Sequence, residues 1–582
     1  MFCRGLVSVL CASLIASCSC SPPTPGKNAA TARDARPSIV LISIDTLRPD
    51  HLGLHGYSRD TSPALDAWAA EHAVIFEDAW ANAPWTLPSH VSMLTGRNAL
   101  GHGVNSRYPA PSSLVTLAER LGASGYRTAA WTGGSWLSPE YGLDQGFDEF
   151  RWWTAADGGE SELATHVAEI TAWLGDQPAV PLLLFVHTYE VHSPYRPRQP
   201  YFESFSDGPP LAPITDRLLS PSKHDGFRLR KRLEFADGQP VPDEDLPRVV
   251  AAYDSGIAHA DSQLGQLLEA IERNLGDNVA VLVTSDHGEA LGEGGRVSHG
   301  RLEKEDLRIP FILRLPGDRG AGARVTERVS SVDIVPTLLE LAGLERPQRL
   351  DGDSVLATVD REDNQALPQP FIETYAASSN LGLSLRRRDG GTYFFNDTPW
   401  LPKRERERWM GPRSEDPGAL DALRASVKER LSEATGLHLE VRNHGSEPLV
   451  LELRGPCVHP LRVKLTDPRN PRLVWVRSKH ARWTVAAGAT DHIRLDTPVA
   501  PCLTVEVSSE GRPRFRFAID PASNQDSWSA GRSGGVWQVL ASGAKPDTEI
   551  SAWLQGPLDG AVSDPADDDA LLEQLRALGY LQ

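Results

Sequence analysis

Five apolar runs punctuate the chain, at residues 39–44, 128–131, 182–186, 279–283 and 311–315. They are short and continuous rather than alternating, which suits parallel strands buried on both faces. Between them, residues 114–121, 163–174, 249–271 and 332–341 carry apolar positions at helical spacing. Strand alternating with helix predicts an α/β fold, a mostly parallel sheet flanked by helices. Ligands in such folds sit beyond the carboxyl ends of the strands. The first run stops at Asp45, the fourth leads into Asp286-His287, and the third leads into His187 and His192. Three strand ends therefore present candidate metal ligands or acid–base groups along one edge.

The pattern changes beyond about residue 350. Residues 382–395 read as a hairpin turning at Asp389-Gly390-Gly391. Residues 420–434 read as a helix. Residues 436–545 alternate apolar and polar positions between Gly, Pro, Asn and Asp turns, which predicts a C-terminal β-sandwich. Residues 570–581 form a short amphipathic helix ending in Leu578-Gly579-Tyr580. At the other end, Arg4 precedes an apolar stretch at 6–16 that is too short to span a bilayer. It closes on Ile15-Ala16-Ser17-Cys18, which resembles the lipobox of bacterial lipoproteins. That resemblance implies acylation of Cys18, a membrane anchor and a place in the cell envelope. Ser19 favours the outer membrane. The expected organisation is a signal peptide at 1–17, a tether at 18–36 and a large α/β domain at 37–400. A helical connector at 401–435, the β-sandwich at 436–545 and a tail at 546–582 follow.

Composition narrows the function. The 582 residues carry a formal net charge of -18, which speaks against general nucleic-acid binding by bulk electrostatics. A locally charged cleft can still take an anion. Cys3 and Cys11 fall in the signal peptide, Cys18 and Cys20 in the anchor and tether. Cys457 and Cys502 alone lie in the folded body and are available to pair in an oxidising compartment.

The chemistry-bearing residues fall into ordered motifs. They are IVLISIDTLRPDHLGLHG at 39–56, APWTLPSHVSMLTGRNALGHG at 83–103, His192-Ser193-Pro194-Tyr195 and TSDHGE at 284–289. His299-Gly300 with LRIP at 307–310, SVDIVPT at 331–337 and the closing Leu-Gly-Tyr complete the set. Over roughly 37–400 and the tail, this series resembles the sulfatase branch of the alkaline-phosphatase superfamily. The resemblance implies a metal-dependent hydrolase of sulfate or phosphate esters.

The residues support that chemistry independently. A divalent cation neutralises an anionic ester and activates its attacker. Asp45, Asp286 and His287 can supply oxygen and nitrogen ligands, and Thr86 can serve as both ligand and nucleophile. Pro88 suits a first helical turn, whose N-terminus would favour an oxyanion at Thr86. Taken alone, Thr86 would also suit a helix cap. The imidazole favours zinc or manganese, with calcium also compatible with the oxygen ligands.

Several residues depart from the sulfatase pattern. The usual Cys/Ser-x-Pro-Ser-Arg nucleophile motif reads Thr86-Leu87-Pro88-Ser89-His90, and threonine cannot become formylglycine by the same chemistry. Thr46 stands where a second metal aspartate is usual, Thr132-Gly133-Gly134 where a Lys-x-His pair is usual, and His299 where a lysine is usual. A threonine nucleophile resembles instead the phosphodiesterase branch, whose second zinc would need residues such as Asp254, His259 and His299. Their spacing does not match, which favours one metal.

The expected catalytic residues are Thr86, His90, His192 and His299, with His90 or His299 charged to hold the anion. His187 is expected behind the metal ligands, His102 in a structural role, and Asp333 as a cap on the apolar helix after it or as a support for a neighbouring loop. The basic run at 228–232 reads as a solvated helix face. Three functions stay open: a sulfatase, a phosphodiesterase, phosphonate hydrolase or phospho-group transferase, and a catalytically inactive glycan-binding lipoprotein. The expected partner is a sulfated or phosphorylated small molecule or glycan.

Overall fold

A computed structural model describes residues 36–360, except 105–108, 111, 113, 154–161, 177–179, 194, 207–245 and 294–296. Beyond 360 it describes strands between 373 and 555 with a few connecting residues. The signal and tether at 1–35, the basic run, the helices expected at 420–434 and 570–581, and Cys18, Cys20, Cys457 and Cys502 lie outside the described residues.

Eight strands form the main sheet: β1 (Ser38–Ile44), β2 (Ala73–Trp80), β3 (Arg127–Gly133), β4 (Glu149–Trp153), β5 (Leu182–Thr188), β6 (Val279–Thr284), β9 (Phe311–Arg314) and β10 (Arg324–Ser330). A two-stranded ribbon of β7 (Ala290–Leu291) and β8 (Val297–Ser298) lies between β6 and β9 in the chain. The order across the sheet is β10-β2-β9-β6-β1-β5-β3-β4. Every pairing is parallel except those of β9, which runs antiparallel between β2 and β6.

Both faces of the sheet are covered, so its central strands are apolar throughout. Strand alternation sends Ile39 and Leu41 into one core and Val40, Ile42 and Ile44 into the other. The first core includes Leu87, Val91 and Leu94 of the helix Thr86–Thr95. The second includes Tyr253, Ile257, Leu264 and Ile271 of the 30-residue helix Leu246–Leu275. At roughly 1.5–3 kcal/mol for each large apolar side chain fully buried, these layers hold the strand ends in fixed register.

The α/β architecture matches the expectation, with one correction. The run at 311–315 was expected to be a parallel strand, yet β9 is antiparallel. Continuous apolarity reports burial on two faces, which an interior antiparallel strand also has. Three strands went unforeseen. β2 follows directly on the helix Pro63–His72, while β4 and β10 are half-exposed edge strands with several polar residues.

Beyond residue 360, the backbone of Gly382–Arg386 pairs antiparallel with Thr392–Asn396, the register of the expected hairpin. The strands between Gly436 and Gln555 form a seven-stranded and a four-stranded sheet. No helix among the described residues is long and apolar enough to cross a membrane.

Candidate active site

Three adjacent central strands deliver the site. The pairings Ser43↔His187 and Ser43↔Thr284 bring the ends of β1, β5 and β6 level. Asp45 continues that ladder, its N–H donating to Thr188 O at 3.0 Å. Thr46 then turns the chain in the left-handed region at φ 58°, where a β-branched residue is strained. The turn is held from β6: Thr46 N–H donates to Asp286 Oδ1 at 3.3 Å and Leu47 N–H to Ser285 Oγ at 3.0 Å. Thr46 Oγ1 donates to Asp45 O at 2.7 Å, so this hydroxyl is turned to its own backbone.

Asp45, Asp286 and His287 are fully buried, and one ligand atom from each lies within 4.8 Å of the others. Asp286 Oδ1 accepts from the His287 and Thr46 N–H groups, whereas its buried Oδ2 accepts no hydrogen bond. Oδ2 instead lies 3.3 Å from His287 Nε2. The His287 Nδ1–H donates to Gly288 O at 2.9 Å, which leaves Nε2 as the lone-pair nitrogen facing the carboxylates. Burial, and then Asp45, push the Asp286 carboxyl well above its ordinary range. Burial, and then His299, push His287 well below its own. Two opposed carboxylates and a neutral imidazole, with an orphaned oxygen among them, form a donor set that fits one divalent cation.

Thr86 joins this group from the opposite side. Its Oγ1 donates to Asp45 Oδ2 at 3.3 Å and sits 3.5 Å from His287 Nε2. It is the first residue of the helix Thr86–Thr95, and the preceding Trp85 makes no side-chain cap. Thr86 is thus not the cap, and the helix N-terminus is left without a side-chain acceptor beside the Thr86 hydroxyl. Ser89 anchors this turn by donating to Asp286 O at 2.5 Å.

The histidines divide. His90 lies one turn beyond Thr86 and is fully buried. Its Nδ1–H donates to Thr86 O at 2.9 Å, and its Nε2 accepts from Ser43 Oγ at 3.2 Å. Burial, and then His187, push it well below its ordinary value. Where a charged His90 holding the anion was expected, both ring nitrogens meet protein partners, and the ring fixes the Thr86 backbone. His187 Nε2 lies 3.4 Å from Asp45 Oδ2, and burial pushes it down to about 3. His299 packs against the His287 ring at 4.3 Å and hydrogen-bonds Glu289 Oε1 at 3.2 Å. Its place follows from the ribbon, where Ala290↔Ser298 pairing sets Glu289 opposite His299. His192 stacks edge-on to His299 at 5.2 Å, and its Nδ1–H donates to Ser193 O. Both are partly exposed, whereas Asp45, Asp286 and His287 are fully buried.

The remaining candidates are structural. Asp254 accepts from His51 Nδ1, Tyr57 and Arg59, each at 2.7 Å, and is thus committed away from any second metal. Among the described residues only Asp45, Asp286 and His287 form a metal-sized cluster, so Asp254, His259 and His299 do not. His102 bonds Ser92 Oγ and Val104 N–H, both at 3.0 Å. Asp333 makes no side-chain cap on the helix Ile334–Leu341; it accepts from Ser330 and Asp353 N–H groups at 2.8 Å, closing the capping box of the turn Ser331–Asp333 and fixing the loop at Asp353.

Two site residues were not anticipated. Tyr189 follows β5, and its buried hydroxyl faces Thr86. Glu162, from the helix Glu162–Gly175, accepts the Tyr189 N–H at 3.4 Å; burial, then Glu190, push it up to about 8. The only sequence signal was Gly133-Gly134, because a Cβ at Gly133 would meet Glu162 at 1.9 Å and one at Gly134 the Tyr189 ring at 2.1 Å.

Comparison with known proteins agrees with this geometry. A family model described as Sulfatase matches residues 37–344. An arylsulfatase of Clostridium perfringens is 25% identical over 392 residues, covering 56% of this chain and 79% of the relative. A choline-sulfatase of Rhizobium meliloti is 25% identical over 410 residues, covering 61% and 77%. The crystal structure of a phosphonate monoester hydrolase of Agrobacterium radiobacter superposes with a TM-score of 0.53 at 21% identity, covering 68% of this chain and 94% of that one. With the match spanning more than half of its length, the chain belongs to the sulfatase family of the alkaline-phosphatase superfamily, as an ester hydrolase.

Proposed function

We propose that this hydrolase uses Thr86 as its nucleophile and one divalent cation held by Asp45, Asp286 and His287, with Thr86 completing the ligand set. The observation that carries the reading is the Thr86 hydroxyl, 3.3 Å from Asp45 Oδ2 and 3.5 Å from His287 Nε2. Bound there, the cation would lower the hydroxyl's pKa and offset charge on the ester; zinc or manganese suits the imidazole, calcium the oxygens. Thr86 Oγ1 attacks sulfur or phosphorus, the ester oxygen leaves with its electron pair, and a Thr86 ester forms. Asp45 accepts the hydroxyl proton along the existing hydrogen bond. Water then cleaves the Thr86 ester and releases inorganic sulfate or phosphate from a monoester, a phosphonic acid from a phosphonate, or a phosphate monoester from a phosphodiester. His299 and His192 flank the cluster, where a proton can be given to the leaving oxygen.

Thr86 favours phosphodiesters or phosphonate monoesters over sulfate esters. A threonine ester has no second hydroxyl through which to expel sulfate, so release depends on attack at the central atom. The substrate class is a sulfated or phosphorylated small molecule or glycan. Two features lie around this core: the lipid anchor at Cys18, which would place the enzyme in the cell envelope, and a sandwich formed by the two sheets beyond Gly436.

The test is a hydrolysis screen of aryl sulfate, phosphate monoester, phosphodiester and phosphonate substrates with each metal. Phosphodiester or phosphonate turnover should exceed sulfate turnover. Thr86→Ser should stay within about tenfold of wild type, because it keeps the hydroxyl. Thr86→Ala should lose roughly a thousandfold or more while still folding. Efficient sulfate turnover with no phosphoester activity would reverse the substrate assignment.

A further inference from the structure

Tyr189 is placed by contacts that serve no obvious structural end. Its ring is held edge-on between His187, at 4.8 Å, and His192, at 5.1 Å. Its backbone N–H is fixed to Glu162. The ring occupies space that exists only because residue 134 is glycine, whose φ of +78° itself disfavours any side chain. All of this aims the phenol at Thr86, the one described side chain near enough to interact with its hydroxyl, yet the buried hydroxyl makes no well-formed hydrogen bond there or with any other described group. A buried hydroxyl without a partner costs about 1–3 kcal/mol. A phenylalanine would fill the same space without that cost.

We propose that Tyr189 is a catalytic residue whose hydroxyl donates a hydrogen bond to a non-bridging oxygen of the ester group held at Thr86. The donor is directed to the neighbourhood of the nucleophile but is not spent on it, as expected if its acceptor arrives with the substrate. The phenol is neutral at physiological pH and keeps its proton throughout. It therefore supplies a dipole and not a charge. Charge on the non-bridging oxygens persists from substrate through transition state to product anion, so the bond should act on all three.

The inference rests on the proposed hydrolase function, and the experiment separates the two. Wild type, Tyr189→Phe and Thr86→Ala, all metal-loaded, are compared for turnover of aryl phosphonates and for inorganic phosphate binding by calorimetry. Phenylalanine keeps the ring packing, so melting temperature and metal content should not move. In Tyr189→Phe, kcat/KM should fall about ten- to a hundredfold and phosphate affinity should fall within the same range, the worth of one hydrogen bond to a charged group. The loss should be the same for good and poor leaving groups. Wild-type phosphate affinity and kcat/KM in Tyr189→Phe would overturn this proposal alone. A loss that grows with leaving-group basicity would also overturn it, by moving the donor to the bridging oxygen. A wild-type protein that neither turns over these esters nor binds phosphate, or a fully active Thr86→Ala, would overturn the hydrolase reading and this inference with it.

Discussion

Asp286 gives the clearest consequence of a single residue. In metal-free protein its buried carboxylate faces Asp45, and both burial and that charge raise its pKa. A raised carboxyl stabilises the fold below its unfolded pKa, and that contribution is lost as pH rises through the folded value. At pH 8 the pair therefore opposes folding until a cation joins it. Asp286→Asn removes the repulsion and one ligand together. With chelator, the variant should melt above wild type at pH 8; with added zinc or manganese, the order should reverse, and its metal content should fall well below one equivalent. Thermal melts in the two media check both halves. A variant that melts below wild type in chelator and still binds a full equivalent would show that the ligand set is elsewhere. Asp45, Asp286 and His287 were legible in the sequence because strand ends in an α/β fold converge. The role of His90 was not, because its partner Ser43 lies on β1, 47 positions away, and only the fold brings the two together. Tyr189 and Glu162 were missed for the same reason, being 27 positions apart and joined only by the fold.

The helix Pro63–His72 illustrates how elements are held to one another. Its own N-cap residue, Ser62, makes no capping bond. Asp261 of the helix Leu246–Leu275 supplies the cap instead, accepting from Ala64 and Leu65 N–H at 2.9 and 2.8 Å. Asp261→Ala should cost about 1 kcal/mol or more for that cap. Burial outweighs these bonds and pushes Asp261 up to about 6 from 3.8. A raised folded pKa means that stability from this group is full below about 3.8 and is lost as pH rises through about 6. Wild type should thus gain on Asp261→Asn as pH falls from 7 to 4, by paired denaturant titrations. A difference that does not vary with pH would show that Asp261 keeps an ordinary pKa. At this scale the apolar runs located β1, β3, β5 and β6 to within a few residues, since their burial is written as continuous hydrophobicity. The direction of β9 was not written there, because both its neighbours bury it whichever way it runs. The edge strands β4 and β10 carry too many polar side chains to stand out from loops.

For the whole molecule, the sheet and its two helical layers present one candidate catalytic edge, and the proposed anchor would tether the molecule to a membrane through the chain that leads into the opposite, amino end of β1. Cys18→Ala should release the protein from membranes without changing its activity, as read by fractionation; unchanged membrane association with normal export would remove the lipoprotein assignment. A net charge of -18 leaves the attraction of an anionic ester to local features of the site, namely the proposed cation, the helix N-terminus at Thr86 and neutral donors. The covalent step at Thr86 is where these meet. The most direct measurement is intact-mass and peptide mass spectrometry of protein quenched during steady-state turnover of an aryl phosphonate or phosphodiester. The account predicts an adduct of the transferred group on the peptide containing Thr86, present in wild type and Thr86→Ser and absent from Thr86→Ala, which should also be nearly inactive. Undiminished turnover by Thr86→Ala, or an adduct on another residue, would contradict it.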